Sequence, residues 1–362
     1  MPTTVPRPST DERPAMTPIA GFASLSSLDC FETLPDHPTL AHVARLAGVS
    51  PATASRVLNG SARVSPTARQ QVRDAVDRLG YVRHRAARSS TGRRTRSVAA
   101  VVCEPNVRLF ADPFYSRVLA GASAAFAERD VPMLLAAGDR AGALERYLCG
   151  GHVDGVLVMN ARGRHPLTAT LPAAGVPVTL VGRPLQPNTL PYVDADNRGG
   201  ARRAVEHLLA SGRRSIATIA GRQDMAVGTD RLAGYKESID AAGLPGSVAY
   251  GDFTHASGVH AMYRLLDHRP NLDAVFVASD IMAAGALHAL RRAGRRVPDD
   301  VAVIGFDDLP LAQHTQPPLT TIRQPLERVG AAAAELLLSA LDGTDDNQDP
   351  VLPTTLVARA SA

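Results

Sequence analysis

The sequence predicts an α/β protein in which a small all-helical head precedes a two-lobed core of doubly wound parallel sheets. Three observations carry this prediction. Three short helical patterns lie between residues 39 and 80, apolar runs alternate with helical segments from residue 97 onward, and the second half of that region repeats the first. A chain of 362 residues has room for two or three domains.

The helical head is predicted from apolar stripes and capping residues. The first helix carries apolar residues at i, i+3, i+4 and i+7 from Leu40 and ends at Gly48. Ser50 is suited to cap a second helix with Pro51 at its first position, and a third helix begins near Pro66. Two helices joined by a tight turn, with a third closing their core, are typical of a helix-turn-helix domain.

The region from residue 97 predicts two similar lobes. It opens with a buried strand at 97–102, whose start recurs at 215–217, 118 residues later. The segment 153–158 recurs at 272–277, 119 residues later. Strands that alternate with helices form parallel sheets, which bind ligands at the carboxyl ends of their strands. We therefore expect a ligand cleft between the lobes.

The net charge of +4 is unevenly distributed. Residues 37–96 hold twelve arginines and two aspartates, which gives +10, whereas residues 1–36 and 97–362 each carry −3. A concentrated polycation predicts a polyanionic partner, nucleic acid first and acidic lipid second. Residues 1–36, rich in Pro, Ser and Thr without periodicity, are expected to be a disordered tail rather than a signal peptide.

Several protein classes fit the sequence poorly. Three widely spaced cysteines form no disulfide framework or zinc spacing, and no apolar run is long enough for a membrane span. Nucleotide-binding glycine motifs, GxSxG and HExxH are absent from the sequence. We expect a cytoplasmic protein that is not an enzyme and holds no metal or cofactor.

The second helix of the head is the predicted DNA-reading element. Residues 50–59 would lie in a major groove, where Arg56 can grip guanine O6 and N7 together, and Pro51 and Ala52 offer only apolar contact. Thr53 and Ser55 would hold phosphates. The alternative is a small helical bundle whose arginines form a solvated face. The tight turn, the Ser50 cap, the apolar stripes and the positive charge all occur in one segment, which favours DNA binding over this alternative.

The segment TLAHVARLAGVSPATASRVLNG, residues 39–60, resembles the N-terminal signature of the lactose/galactose repressor family of transcriptional regulators. The continuation to Tyr81 also matches, and the remainder resembles that family's two-lobed, periplasmic-binding-protein-like core. Within the family, the sequence resembles actinobacterial repressors of oligosaccharide uptake, notably the cellobiose-responsive kind. The implied domains are a helix-turn-helix domain at 37–83, a hinge helix and linker at 84–96, and an effector-binding and dimerisation domain at 97–362.

The resemblance implies that the hinge helix folds in the minor groove when two subunits dock. A leucine wedge usually follows the pattern of Ala87-Arg88-Ser89, but Ser90 stands here. Either DNA kinking is weaker, or the surrounding arginines compensate through phosphate and minor-groove charge. The predicted DNA-binding residues are Thr39, Ser50, Pro51, Ala52, Thr53, Ser55, Arg56, Asn59, Arg85, Arg88 and Ser90.

The resemblance also implies a carbohydrate effector, for which aromatic faces and charged hydroxyl-binding groups are suited. The predicted effector-binding residues are Phe114, Tyr115, Arg183, Arg231, Phe253 and Asp280. The alternative for Asp280 and Arg231 is a purely structural role, as a mutual salt bridge or a helix cap. The alternative for Phe114 and Tyr115 is that they are ordinary core residues, as aromatic residues in helices usually are. The pair Asp196-Asn197 and the triplet Phe306-Asp307-Asp308 rank second as effector-binding candidates, because loop capping explains these residues nearly as well.

The expected function is a homodimeric repressor, or a dimer of dimers, on a pseudo-palindromic double-stranded DNA operator of sugar uptake or catabolism genes. A disaccharide or oligosaccharide bridging the lobes would release it. Whether the sugar induces or co-represses stays open. The rival interpretations are a two-lobed sugar-binding receptor without DNA function and a sugar-active enzyme.

Overall fold

The computed structural model describes residues 39–58, 61, 64–79, 81, 97–104, 106–136, 142–162, 165–344 and 350–362. The chain divides into two compact units, Met1–Tyr81 and Val82–Ala362. The tail at 1–36 and the hinge segment at 84–96, together with Asn59, Arg85, Arg88 and Ser90, lie outside the described residues.

The first unit contains the three predicted helices. They are α1 (Leu40–Leu46), α2 (Pro51–Leu58) and α3 (Pro66–Leu79). Apolar side chains from all three helices meet in one small core, which Tyr81 closes; its buried members are Val43, Ala44, Ala47, Ala54, Val72, Ala75 and Tyr81. The apolar stripes read from the sequence therefore form the core of a helix-turn-helix domain.

The second unit alternates strands and helices as predicted. In chain order its elements are β1 (Val98–Val102), α4 (Asn106–Ala111), α5 (Pro113–Ala127), β2 (Met133–Ala136), α6 (Ala143–Cys149), β3 (Gly155–Met159), α7 (Leu167–Ala173), β4 (Val178–Val181), β5 (Tyr192–Ala195), α8 (Asn197–Ala210), β6 (Ile216–Ala220), α9 (Ala226–Ala241), β7 (Ser247–Tyr250), α10 (His255–His268), β8 (Ala274–Val277), α11 (Asp280–Arg292), β9 (Ala302–Asp307), α12 (Leu311–His314), β10 (Thr320–Arg323), α13 (Leu326–Asp342), β11 (Val351–Leu352) and β12 (Thr355–Val357).

These strands form two sheets of six among the described residues. Their orders, β11-β5-β4-β3-β1-β2 and β12-β10-β9-β8-β6-β7, correspond strand for strand. The strand pairings among the described residues are parallel, except that β12 pairs antiparallel with β10. This correspondence explains the sequence repeat, because β1 and β3 of the first sheet occupy the same positions as β6 and β8 of the second.

Helices cover both faces of each sheet. In the first lobe, α5 and α13 cover one face and α6 and α7 the other; in the second, α10 and α11 lie opposite α8 and α9. Helices α5 and α13 approach closely, because a Cβ on Gly121 would overlap the Glu327 carbonyl. Glycine lets these two backbones touch, which fixes α13 on the first lobe.

In the part of the chain that the structure describes, the backbone crosses between the lobes three times. β5 in the first sheet leads into α8 on the second, β10 in the second sheet leads into α13 on the first, and β11 leads into β12. Three short crossings make a hinge rather than a single linker. No helix in the described ranges is long and apolar enough to cross a membrane.

Candidate functional site

The first candidate surface is the N-terminal part of α2. Gly48 has a φ of +64°, which allows the tight turn after α1. The Ser50 hydroxyl accepts a hydrogen bond from the Thr53 backbone N–H at 3.1 Å and so caps the helix, as predicted. Thr39 caps α1, where its hydroxyl accepts from the His42 backbone N–H while His42 Nδ1 accepts from the Thr39 N–H.

The outer face of α2 is solvent-exposed at the positions predicted to meet bases. Pro51, Ala52 and Arg56 are exposed, whereas Ala54 on the opposite face is fully buried in the helical core. Ala52 and Arg56 stand four residues apart and therefore on the same side of the helix. Thr53 is half-buried, and its hydroxyl lies 2.9 Å from that of Ser50. The face thus leaves the Arg56 guanidinium free to reach a groove.

The second candidate site is a cleft at the carboxyl ends of the parallel strands, where the two lobes meet. It comprises two adjoining open pockets of about 680 and 470 Å³. Five residues line both pockets: Phe114, Asn160, Met225, Val227 and Arg231. The mixed apolar and polar lining of this cleft is typical of a small-molecule site.

The predicted aromatic pair forms one wall of the cleft. Asp112 caps α5 by accepting a hydrogen bond from the Phe114 N–H at 2.9 Å, and burial raises the pKa of its carboxyl group. The Phe114 and Tyr115 rings meet edge to face, with centroids 5.3 Å apart. Tyr115 is buried, and its hydroxyl accepts a hydrogen bond from the Asn160 amide. A helix cap and one amide therefore fix both rings at the cleft.

Arg231 is the central charged group of the cleft and is only 3% exposed. Its Nε donates to Asn197 Oδ1 at 3.0 Å and its Nη1 to the Ala278 carbonyl at 2.6 Å. The same Nη1 lies 3.1 Å from Asp307 Oδ1, and the guanidinium sits 3.7 Å above the centre of the Phe306 ring. Arg231 therefore connects α8, β8 and β9 beneath the ligand space.

The sequence left open a salt bridge between Arg231 and Asp280. In the structure, the Arg231 guanidinium pairs with Asp307 instead. Asp307 lines the smaller pocket, accepts a second hydrogen bond from Gln324 Nε2 at 2.6 Å and has a φ of +111°. Burial raises the pKa of Asp307 to about 6, against the opposing effect of Arg231. Asp307 and Phe306, which the sequence ranked second because loop capping explains them nearly as well, both contact Arg231 in the structure.

Asp280 is not among the residues that line either pocket. Although it follows a strand as predicted, it is the first residue of α11 and is fully buried. Its carboxylate accepts hydrogen bonds from the Thr321 hydroxyl at 2.6 Å and from the Leu309 N–H at 2.8 Å. Burial, reinforced by the neighbouring Asp307, raises its pKa well above the usual value. Asp280 thus holds the loop that follows β9 instead of facing the cleft.

Arg183 lines the larger pocket but its guanidinium is already engaged. It extends from the end of β4 across the cleft to Asp230 on α9, with Nη2 at 2.8 and 2.9 Å from the two carboxylate oxygens and Nε at 3.2 Å from one of them. Phe253 lines the smaller pocket with a φ of +71° and packs against Gly221. Arg108 also crosses the cleft, donating to the Asp252 carbonyl at 2.9 Å. The lobes therefore meet through several polar contacts at the cleft edge.

Several polar residues at the hinge and cleft escaped the sequence prediction, among them Asn160, Asp194, Gln324 and Thr354. Asp194 accepts from the Arg183 N–H, the Ala195 N–H and the Asn197 amide, all within 3.0 Å. Asn160 and Gln324 directly follow β3 and β10, whereas Asp194 lies within β5 and Thr354 lies between β11 and β12. Polar residues at such positions are common in loops and strands, so they carry no specific sequence signal.

The hinge crossings are joined by side chains. Asn197 and Gln324 connect the first and second crossings through Arg231 and Asp307. Arg203 connects the first and third by donating to Asp196 Oδ2 at 3.1 Å and to the Thr354 hydroxyl. A change at the cleft can therefore reach all three crossings through hydrogen bonds.

A helix-turn-helix unit joined to a two-lobed unit with a ligand cleft defines a DNA-binding regulator with its own small-molecule sensor. Residues 39–84 match the model of bacterial regulatory proteins of the lacI family, and residues 205–362 match the periplasmic binding protein-like domain. The chain belongs to the LacI family of bacterial regulatory proteins. It is a transcriptional regulator rather than an enzyme.

Individual relatives agree with this family. The chain is 49% identical to the HTH-type transcriptional regulator CelR of Thermobifida fusca over 333 residues, 90% of this chain and 98% of that one. Among solved structures, it is similar to a transcriptional regulator CelR-cellobiose complex, with 47% identity, a TM-score of 0.71, and coverage of 90% and 100%. It is also similar to a lac repressor dimer bound to operator and the anti-inducer ONPF, with 27% identity, a TM-score of 0.66, and coverage of 90% and 99%.

Proposed function

We propose that this protein represses genes of sugar uptake or catabolism and is released from its operator when a disaccharide or oligosaccharide binds in the cleft. The observation that carries the proposal is the cleft itself, where an ordered aromatic pair faces a buried arginine–aspartate network. Aromatic rings stack on the C–H faces of sugars, and charged groups bind hydroxyls. The relative whose solved complex contains cellobiose makes cellobiose the first ligand to test.

The proposed effector contacts are Phe114, Tyr115, Arg231 and Phe253, with Asn160 and Asp307 added from the pocket linings. Arg183 and Asp280 act indirectly in this proposal. Arg183 ties the lobes together, and Asp280 supports the loop that carries Leu309.

On the DNA side, the proposal keeps the predicted contacts on α2, with Arg56 as the base-reading residue and Ser50, Thr53 and Ser55 near phosphates. Thr39, Asn59, Arg85, Arg88 and Ser90 complete the proposed DNA-binding set. The proposed domain limits are 37–83 for DNA binding, 84–96 for the hinge and 97–362 for effector binding and dimerisation. A regulator of this kind acts on chromosomal DNA, so we place it in the cytoplasm.

We further propose a homodimer on a pseudo-palindromic operator, because two recognition helices must enter successive major grooves. The similar lac repressor structure is a dimer on its operator. The edge strand β2 exposes Leu134 and Leu135 by 43% and 44%, which is an apolar surface suited to a second copy. Analytical ultracentrifugation of the full chain measures the state directly.

The proposed mechanism is a shift of the lobes about the three hinge crossings. A sugar that binds one lobe arrangement more tightly than the other moves the equilibrium toward it, and a coupling of ~1–3 kcal/mol is typical. In this proposal the sugar prefers the arrangement that does not bind DNA, so occupancy weakens operator binding.

The proposal is tested by selecting an operator from random-sequence DNA with the full chain and measuring its affinity by fluorescence anisotropy at several salt concentrations. We expect log K to fall by about 0.9 for each phosphate neutralised as log salt rises. Absent DNA binding at low salt would favour the rival, a sugar receptor without DNA function, and sequence-independent binding would contradict operator recognition.

Arg56→Ala should remove discrimination at one operator position, worth ~1–3 kcal/mol. Arg73→Ala is the matched control, because Arg73 is exposed on α3 and its loss changes the charge of the same unit equally. An equal loss of affinity for every sequence in both variants would make Arg56 a phosphate contact.

A further inference from the structure

The cleft arginines share one property that bears on which saccharides can enter. Of the arginines in the described part of the chain that line the two pockets, each is paired with a carboxylate: Arg108 with Glu104, Arg183 with Asp230, and Arg231 with Asp307. Arg162, next to the lining residue Ala161, also pairs with Glu104. Each of these four described arginines therefore already has a carboxylate counter-ion.

Two further carboxylates line the pockets without an arginine partner in the described residues. Asp112 accepts from the Phe114 N–H, and Asp194 accepts from backbone and amide N–H groups. The four arginines thus face five carboxylates: Glu104, Asp112, Asp194, Asp230 and Asp307. The local charge balance favours acceptors of hydroxyl protons over anion receptors.

We infer that the cleft selects neutral saccharides and rejects their anionic derivatives, and that Asp230 is a specificity-determining residue because it occupies the guanidinium of Arg183. This inference rests on the proposed saccharide function. A neutral sugar can donate hydroxyl protons to Asp112 and Asp307, which gives charge-assisted hydrogen bonds. A carboxylate or phosphate on the sugar would be desolvated next to existing carboxylates, and every arginine that lines the described pockets is already paired.

The ion pair of Arg183 and Asp230 is the decisive one. Both Arg183 Nη2 and Nε point at the Asp230 carboxylate in a bidentate arrangement, which is the geometry that would otherwise grip a ligand carboxylate or phosphate. The two side chains come from different lobes, β4 end and α9, so the pair also spans the cleft. Asp230 therefore acts as an internal substitute for an anionic ligand.

One consequence concerns the reaction that supplies the effector. A regulator that rejects sugar phosphates responds to sugar that has entered the cell without phosphoryl transfer, or that has been released by hydrolysis of a neutral glycan. A sugar phosphorylated during import would not bind this cleft.

The test compares cellobiose with the same disaccharide in which one CH₂OH is oxidised to a carboxylate, and with its 6-phosphate, by isothermal titration calorimetry on the full chain. The oxidised sugar changes charge with almost no change in size. We expect the wild-type protein to bind both anionic sugars at least about a hundredfold more weakly than cellobiose, because an unpaired buried anion costs several kcal/mol.

Asp230→Asn keeps the shape of the side chain and frees the Arg183 guanidinium. We expect this variant to bind the carboxylate sugar at least tenfold more tightly than the wild type does, while its affinity for cellobiose changes less. Asp300→Asn is the matched control, because it removes the carboxylate from the exposed Arg296–Asp300 pair, away from the pocket linings. Circular dichroism melting of each variant confirms that it is folded.

The outcomes separate this inference from the proposed function. If the wild type binds the carboxylate sugar as tightly as cellobiose, the charge selection is wrong and the saccharide function stands. If Asp230→Asn folds but gains no affinity for the anionic sugar, Asp230 is not the determinant. If no saccharide binds in any form, the proposed function fails and this inference fails with it.

Discussion

The substitution Arg231→Met removes the charged centre of the cleft while keeping a long apolar stem over Phe306. It deletes the hydrogen bonds to Asn197 Oδ1 (3.0 Å) and the Ala278 carbonyl (2.6 Å), and the ion pair to Asp307 Oδ1 (3.1 Å). These groups are buried, so the substitution leaves the Asp307 carboxylate with the Gln324 amide as its hydrogen-bond donor. Asn197 Oδ1 loses the donor that Arg231 supplied.

Breaking a buried ion pair by removing one partner typically costs about 3–5 kcal/mol. At about 2–4 °C per kcal/mol for a domain of this size, the expected fall in Tm is on the order of 10 °C. Urea and thermal unfolding of the full chain, followed by circular dichroism, measure the change, and calorimetry measures the accompanying loss of saccharide binding.

Two further variants test whether the loss of stability comes from leaving the Asp307 carboxylate unpaired. Arg231→Met combined with Asp307→Asn removes the stranded charge, so the double variant should recover about 1–2 kcal/mol relative to the sum of the single effects, without recovering sugar binding. Arg296→Met at the exposed pair with Asp300 is the matched control, with an expected change within about 0.5 kcal/mol. If Arg231→Met destabilises the protein by less than about 1 kcal/mol, the buried network does not organise the cleft.

Three other predictions concern the head, the loop after β9 and pH. Ser50→Ala removes the cap of α2 and should cost about 1 kcal/mol in the stability of the helical unit and weaken DNA binding for all sequences alike; a change confined to one base would contradict this. Asp280→Ala strands the Thr321 hydroxyl and the Leu309 N–H and should cost ~1–3 kcal/mol on urea unfolding, whereas an unchanged midpoint would refute its supporting role. Burial raises the pKa of Asp307 to about 6, so the stability that this carboxyl group contributes is full below its usual pKa and is lost as pH rises through about 6. The unfolding free energy of the wild type minus that of Asp307→Asn should therefore fall between about pH 4 and 6.5. A difference that rises over this range would contradict the raised pKa.

The architecture was predictable because its signals are local. Apolar periodicity from Leu40, the cap at Ser50 and the helix start at Pro66 predict the head, and the repeat of 97–99 at 215–217 predicts two equivalent lobes. The chemistry of the cleft depends on contacts distant in sequence, which no local pattern encodes. Arg231 was identified, but its partner Asp307 lies 76 positions further along the chain and resembles an ordinary loop aspartate.

Asp280 illustrates the limit of arguments from strand ends. Its position after β8 predicts a side chain at the cleft edge, yet as the first residue of α11 its carboxylate meets donors from the loop after β9 and from β10. Arg183 illustrates a second limit, since the sequence identifies an arginine at the cleft without the counter-ion that occupies it. Pairing decides what a charged residue can bind, and pairing is a property of the tertiary structure.

Control of DNA binding by a saccharide in the cleft is measured most directly as the operator affinity of the full chain with and without a saturating neutral disaccharide, by fluorescence anisotropy at fixed salt. We expect the sugar to weaken operator binding by roughly 5- to 150-fold, the range of a ~1–3 kcal/mol coupling, and Arg231→Met to abolish this effect while retaining operator binding. Operator affinity that is identical with and without a sugar shown by calorimetry to be bound would mean that the saccharide does not control DNA binding.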